Sequence, residues 1–198
     1  MGYTFTPQTT FAVGTSPRFV TTADVNGDGD TDLITVNGND NTVSVLLGNG
    51  DGTFGAHTTY AVGNVPTSVT TADVDGDGDA DLITTNITSG TVSVLLGTGT
   101  GTFGAQTTFA VGNGPWGVTT ADVNGDGQVD LITANRSSDT VSVLLGTPTI
   151  AATSEGRPAR SLWALRSTSG TRFLSSWPPT SRSTASRRPR VARRQRSR

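Results

Sequence analysis

The sequence predicts an all-β protein built from three tandem copies of a four-stranded unit. Three observations predict it. The stretch "ADVNGDGDTDLIT" from Ala23 returns as "ADVDGDGDADLIT" from Ala72 and "ADVNGDGQVDLIT" from Ala121, 49 residues apart each time. Between these acidic loops stand short runs rich in Val, Ile, Thr, Leu and aromatics, bounded by Gly, Asn, Asp or Pro, as strands are. Nothing in the unit keeps helical periodicity over about ten residues. A period near 50 belongs to architectures that stack or close radially.

The strands follow in order within each unit. The first is "TTFAVG" at 9–14, with "TTYAVG" at 58–63 and "TTFAVG" at 107–112. The second is "FVTTAD", "SVTTAD" or "GVTTAD", entering the acidic loop. The third, "DLITVN", "DLITTN" or "DLITAN", leaves it. The fourth is "TVSVLLG" at 42–48, 91–97 and 140–146, where Val43 and Val45 alternate with Thr42 and Ser44 as in a half-buried strand. Asn41, Gly90 and Asp139 precede it, and these types tolerate a left-handed backbone best. A hairpin with positive φ there is expected. One unit cannot bury both faces of its sheet, so neighbours must cover it.

The acidic loop reads D-x-[ND]-G-D-G-x-x-D. Side-chain oxygens stand at positions 1, 3, 5 and 9, and position 7 can offer a backbone carbonyl. Hard oxygen donors in a flexible loop suit Ca²⁺, which takes six to eight of them at roughly 2.3–2.6 Å. Gly29, Gly78 and Gly127 at position 6 permit the sharp turn. Carboxylates packed this closely repel one another unless a cation intervenes. Cysteine is absent and His57 is the only histidine, so the thiolate and imidazole ligands that zinc prefers are missing. An EF-hand needs Glu at position 12 and flanking helices. Position 12 here is Thr35, Thr84 or Thr133, inside a β-rich run. A metal-free Asp/Gly turn is the bland alternative, weakened by three copies in register.

The loop, the Phe-Gly of "GTFGA" (Phe54-Gly55, Phe103-Gly104) and the Gly-x-x-Pro of "GTSP", "GNVP" and "GNGP" together resemble FG-GAP repeats, also called VCBS-type repeats. The resemblance spans roughly 3–147. It implies tandem four-stranded β-propeller blades, with Ca²⁺ held between the first two strands of each blade in family order. By position, the implied ligands are Asp24, Asn26, Asp28 and Asp32 in the first loop, and Asp73, Asp75, Asp77 and Asp81 in the second. In the third they are Asp122, Asn124, Asp126 and Asp130. Asp30, Asp79 and Gln128 would give carbonyls. Closed propellers have about four to eight blades, so three units are expected to form an incomplete propeller. Self-association, or blades supplied by another chain, would complete it.

Charge divides the chain. Residues 1–147 hold 15 Asp and 2 Arg, a net of −13, while 148–198 hold 12 Arg and one Glu, a net of +11. After Gly146 the repeat register stops, and "TPTIAATSEG" leads into an Arg/Ser/Pro-rich tail. Three explanations stand: a disordered low-complexity tail, a frameshift product, and a basic arm for an anionic partner. For the repeats no nucleic acid partner is expected, and no apolar run is long enough to span a membrane.

Three function classes follow. The first is a Ca²⁺-stabilised extracellular module for protein or glycan binding and adhesion. The second is a non-binding structural scaffold. The third is a fragment of a larger secreted enzyme carrying FG-GAP repeats. The repeats themselves are expected not to be an enzyme, because no nucleophile has a partner base and His57, matched by Gln8 and Gln106, suits a solvent-facing strand position. Binding has one pointer. The residues after the blade proline vary, as Arg18-Phe19, Thr67-Ser68 and Trp116-Gly117, while nearby strands barely do. Varied loops on rigid scaffolds carry recognition. Extracellular Ca²⁺ modules bind at about 10⁻⁴–10⁻³ M, which points to a secreted or surface setting although no export signal is visible. Asn86-Ile-Thr and Asn135-Arg-Ser are glycosylation acceptors only in a eukaryotic secretory route.

Overall fold

A computed structural model of the chain describes residues 2–147. The expected tail, 148–198, lies outside the described residues. Eleven strands form three antiparallel sheets, and no helix occurs among the described residues. Sheet one orders β1 (Pro17–Ala23), β2 (Asp32–Asn37), β3 (Thr42–Leu46) and β4 (Thr58–Ala61) side by side. Sheet two repeats this with β5 (Pro66–Ala72), β6 (Asp81–Asn86), β7 (Thr91–Leu95) and β8 (Thr107–Ala110). Sheet three has β9 (Pro115–Ala121), β10 (Asp130–Asn135) and β11 (Thr140–Leu144), in the order β11-β10-β9.

The four-stranded blade is therefore present, but shifted by one strand from the unit read in sequence. "TTYA" at 58–61 does not open the second sheet. It closes the first, pairing Val43 with Tyr60 and Val45 with Thr58. Sequence repetition gives the period but not its phase, and the chain crosses between sheets after this outer strand. One consequence is that 9–14, the first copy of this segment, forms no strand among the described residues. The other is that sheet three holds three strands among the described residues. The acidic loop joins the first two strands of each sheet, β1–β2, β5–β6 and β9–β10.

The β2–β3 hairpin and its equivalents turn as expected. Asn41 (φ 56°), Gly90 (φ 62°) and Asp139 (φ 52°) all occupy the left-handed region. The last strand of the unit departs from its half-buried pattern. Val43, Ser44 and Val45 are all buried, the two valines under sheet two and Ser44 on the opposite face against Asn37 and Gly14. Ser44 Oγ accepts a hydrogen bond from Asn37 Nδ2 at 2.9 Å, which satisfies the polar side. Asn86 and Asn135 play the same part, donating Nδ2 to Ser93 and Ser142 at 2.8 Å each. Both amides are buried, so neither sequon is open to glycosylation in the folded protein.

The core lies between sheets. Ile34, Val36, Val43 and Val45 of sheet one meet Val62, Val69, Leu82 and Leu95 on the unit that follows. Ile83, Val92 and Val94 of sheet two meet Leu131, with Val111, Val118 and Leu144 packed against them. His57 is half-buried just before β4, rather than a solvent-facing strand residue.

Candidate metal centre

The three loops share one scaffold of backbone hydrogen bonds. In the first, Gly27 N–H donates to Asp24 Oδ1 at 2.8 Å and Gly29 N–H to Asp24 Oδ2 at 2.9 Å. Asp73 receives the same pair from Gly76 and Gly78, and Asp122 from Gly125 and Gly127. The position 6 glycines have φ of 87°, 94° and 84°, where a Cβ would be strained. The Gly29 N–H holds the Asp24 carboxyl below the usual carboxylate value, and Gly127 does so for Asp122.

The position 9 aspartates are the buried members. Asp32, Asp81 and Asp130 have no exposed surface. Asp81 Oδ2 accepts from Val74 N–H at 2.8 Å and Oδ1 from Gly97 N–H at 2.7 Å. Asp32 is held by Val25 and Gly48, and Asp130 by Val123 and Gly146. Burial pushes the Asp81 carboxyl up, against these two hydrogen bonds, and the negative charges of Asp75 and Asp77 add to the rise. A cation in the loop would relieve that penalty.

Oxygens of Asp73, Asp75 and Asp81 lie within 4.8 Å of one another. Two ligands of one Ca²⁺ can be no more than about 5 Å apart, twice the metal–oxygen distance, so the three carboxylates fit one ion. An ionised carboxylate has about four acceptor positions, and the backbone bonds leave some of them free. At position 3 of the other loops, Asn26 Nδ2 donates to Asp28 Oδ2 at 2.7 Å and Asn124 Nδ2 to Asp126 Oδ2 at 2.9 Å. Each Asn oxygen thus remains an acceptor on the loop. At position 5, Asp28, Asp77 and Asp126 each accept the N–H of position 7 at 2.8–2.9 Å. The position 7 side chains of Asp30 and Asp79 lie against Gly50 and Gly99 of a neighbouring turn. This accounts for Gln128 at the third copy: only the backbone of position 7 belongs to the loop.

Sequence reasoning passed over the last residue of "TVSVLLG". A Cβ at Gly48, Gly97 or Gly146 would stand 2.3, 2.4 or 2.5 Å from the carbonyl oxygen of Thr31, Ala80 or Val129. Only glycine brings its N–H to the buried aspartate there. The same glycine in all three units was the available signal. Also missed was a brace between units. Gly101 N–H donates to Val25 O at 3.0 Å, inside the first loop, and Phe103 packs edge-on against Tyr60. Val25 is buried as a result, whereas Val123 of the third loop is 54% exposed. The counterpart of Gly101 for the second loop is residue 150, outside the described residues. The brace thus orders the first loop from the unit that follows.

The model of the FG-GAP-like repeat matches residues 24–84 and again 73–133. The chain belongs to the FG-GAP-like repeat family. Both matches open on the first aspartate of a loop and run into the acidic loop of the next unit. No curated protein matches this FG-GAP-like chain. Among solved structures it is similar to the Tc holotoxin pore of Photorhabdus luminescens, at 23% identity and a TM-score of 0.44, over 68% of this chain and 7% of that one. It is also similar to the V. cholerae biofilm matrix protein Bap1, at 24% identity and a TM-score of 0.37, over 70% of this chain and 24% of that one. The chain thus spans under a quarter of the length of either.

The varied positions after the blade proline are not in a loop. They begin the first strand of each sheet, and Arg18, Phe19, Thr67, Ser68, Trp116 and Gly117 together line one open cavity. Trp116 is 48% exposed, with the Arg136 guanidinium 5.1 Å from its ring centroid.

Proposed function

We propose that this FG-GAP-like chain is a calcium-stabilised, non-catalytic binding module that works outside the cytosol. The observation that carries the calcium assignment is the set of Asp73, Asp75 and Asp81 oxygens within 4.8 Å of one another. Ca²⁺ supplies positive charge at the point where each loop gathers its carboxylates. The residues that would hold it are those at positions 1, 3, 5 and 9, with the carbonyl of position 7. Preformed sites are rare in unfolded chains, so binding energy becomes folding energy. The extracellular setting rests on the weak affinity ordinary for such modules, about 10⁻⁴–10⁻³ M.

Recognition of a protein or glycan is assigned to the cavity around Trp116 and Arg18. An exposed indole with a guanidinium beside it offers an apolar face and charged donors together, and Trp and Arg are favoured at binding hot spots. The test has two arms on the full chain. Thermal melts with Ca²⁺ and with a chelator should differ, and equal melts would remove the calcium assignment. A glycan and protein array should give hits that Trp116→Ala abolishes. An array without hits would leave the scaffold as the function.

A further inference from the structure

We propose that residues 9–12 of one copy of this chain form the fourth strand of sheet three of a second copy, and that two copies close head to tail into one ring of six sheets. The outer strand of sheet one is "TTYA" at 58–61, and that of sheet two is "TTFA" at 107–110. Sheet three lacks this strand among the described residues. The chain has one further copy of the segment, "TTFA" at 9–12, identical to β8, and there it forms no strand. None follows Gly146 in the sequence. Among the described residues, one sheet has three strands, and one copy of the strand sequence is in no sheet.

The neighbouring contacts place the segment. Gly63 N–H donates to Ser93 Oγ and Gly112 N–H to Ser142 Oγ, where the chain leaves one sheet for the next. Gly14 N–H makes the equivalent bond to Ser44 Oγ of sheet one. Residues 9–12 therefore run where the outer strand of a preceding sheet would lie. Within one chain that sheet would have to be sheet three, giving a ring of three, below the four or so blades a propeller needs. Two copies supply six.

The two open faces also match the interfaces already made inside the chain. Val141 is 64% exposed and Val143 50%, whereas their counterparts Val92 and Val94 are buried under the next sheet. On the other side, Val13, Val20, Leu33 and Leu46 line an open apolar hollow on sheet one. These correspond to Val62, Val69, Leu82 and Leu95, which cover sheet one from sheet two. Docking sheet one of a second copy onto sheet three repeats that packing, and a heterologous contact that closes yields a ring rather than a filament. An added strand at an open sheet edge gains main-chain hydrogen bonds as well.

The register of β7 with β8 sets the test. Val94 pairs with Thr107, so Val143 should pair with Thr9 of the partner copy. Opposed residues on antiparallel strands lie about 4.5–5.5 Å apart at Cα, within disulfide reach. The chain has no cysteine to interfere. Full-length chain carrying T9C is mixed with full-length chain carrying V143C, and separately T9C/V143C is made in one chain, all in Ca²⁺ under mild oxidation. A chain carrying V94C/T107C serves as the control for the same register within one sheet. The expected results are a reducible dimer from the mixture, a doubly linked dimer from the double variant, and twice the 20.3 kDa chain mass for unmodified protein by light scattering. A monomer at high concentration overturns the proposal, as does a V143C/T9C link within one chain. A ladder of larger linked species overturns closure by two copies.

Discussion

Gly97→Ala isolates the close approach that supports the second acidic loop. Gly97 does not need a left-handed backbone, so the added methyl acts only through what it meets. That is the Ala80 carbonyl oxygen at 2.4 Å, against a practical minimum of 3.0 Å. The backbone must move by about 0.6 Å. The Gly97 N–H bond to Asp81 Oδ1, now 2.7 Å, then stretches beyond the range of a good hydrogen bond. Asp81 is fully buried, so water cannot replace the donor. A hydrogen bond to a charged group is worth about 1.5–3 kcal/mol. At roughly 2–4 °C per kcal/mol for a chain of this size, the melting temperature should fall by about 3–12 °C. Gly104→Ala is the control, since its Cβ would have nothing nearer than Leu96 O at 3.8 Å. Calorimetric melts of both variants and wild type, with and without Ca²⁺, give the comparison. If Gly97→Ala melts with Gly104→Ala, the reasoning about the buried aspartate fails.

Other outcomes follow from the same geometry. Asp77→Ala should reduce the Ca²⁺-induced rise in melting temperature more than Asp28→Ala or Asp126→Ala. All three lose the same hydrogen bond to position 7, but only the second loop has carboxylates at all four side-chain positions. Equal responses would show that charge count does not rank the loops. Phe103→Ala should cost about 3–5 kcal/mol as a buried aromatic, and calorimetric titration should find Ca²⁺ binding at the first loop weakened through the lost brace to Val25. Val65 holds φ 57°, where its counterpart is Gly114, so Val65→Gly should stabilise by up to about 1 kcal/mol, and a lower melting temperature would contradict the strain. Without Ca²⁺, the raised Asp81 carboxyl binds its proton above the ordinary value of 3.8, so its contribution to stability grows as pH falls through its folded pKa. Asp24 and Asp122 act oppositely, with stability present above 3.8 and lost as pH falls through their lowered values. With Ca²⁺ present, protons compete for Asp81, and affinity measured by titration calorimetry should drop on acidification toward that range.

The repeat, its β character and the acidic loop between two strands were legible in the sequence because each is a local matter. Strand composition, glycine at a sharp turn and oxygen donors two residues apart act within a few positions of one another, and three copies in register repeat the evidence. The left-handed residues Asn41, Gly90 and Asp139 were legible for the same reason. Tertiary structure alone decided the phase of the blade, since a periodic sequence does not say whether "TTYA" opens one sheet or closes another. It also decided that Asn86 and Asn135 are buried pegs rather than glycosylation sites, and that Arg18, Thr67 and Trp116 meet at one cavity. The glycine that ends "TVSVLLG" looked like a strand terminator. Its N–H is a ligand of a carboxylate 16 residues away, at a distance only folding creates. Near-identical loops likewise differ once folded. Val25 is buried and Val123 exposed because burial depends on what packs alongside, which no single repeat encodes.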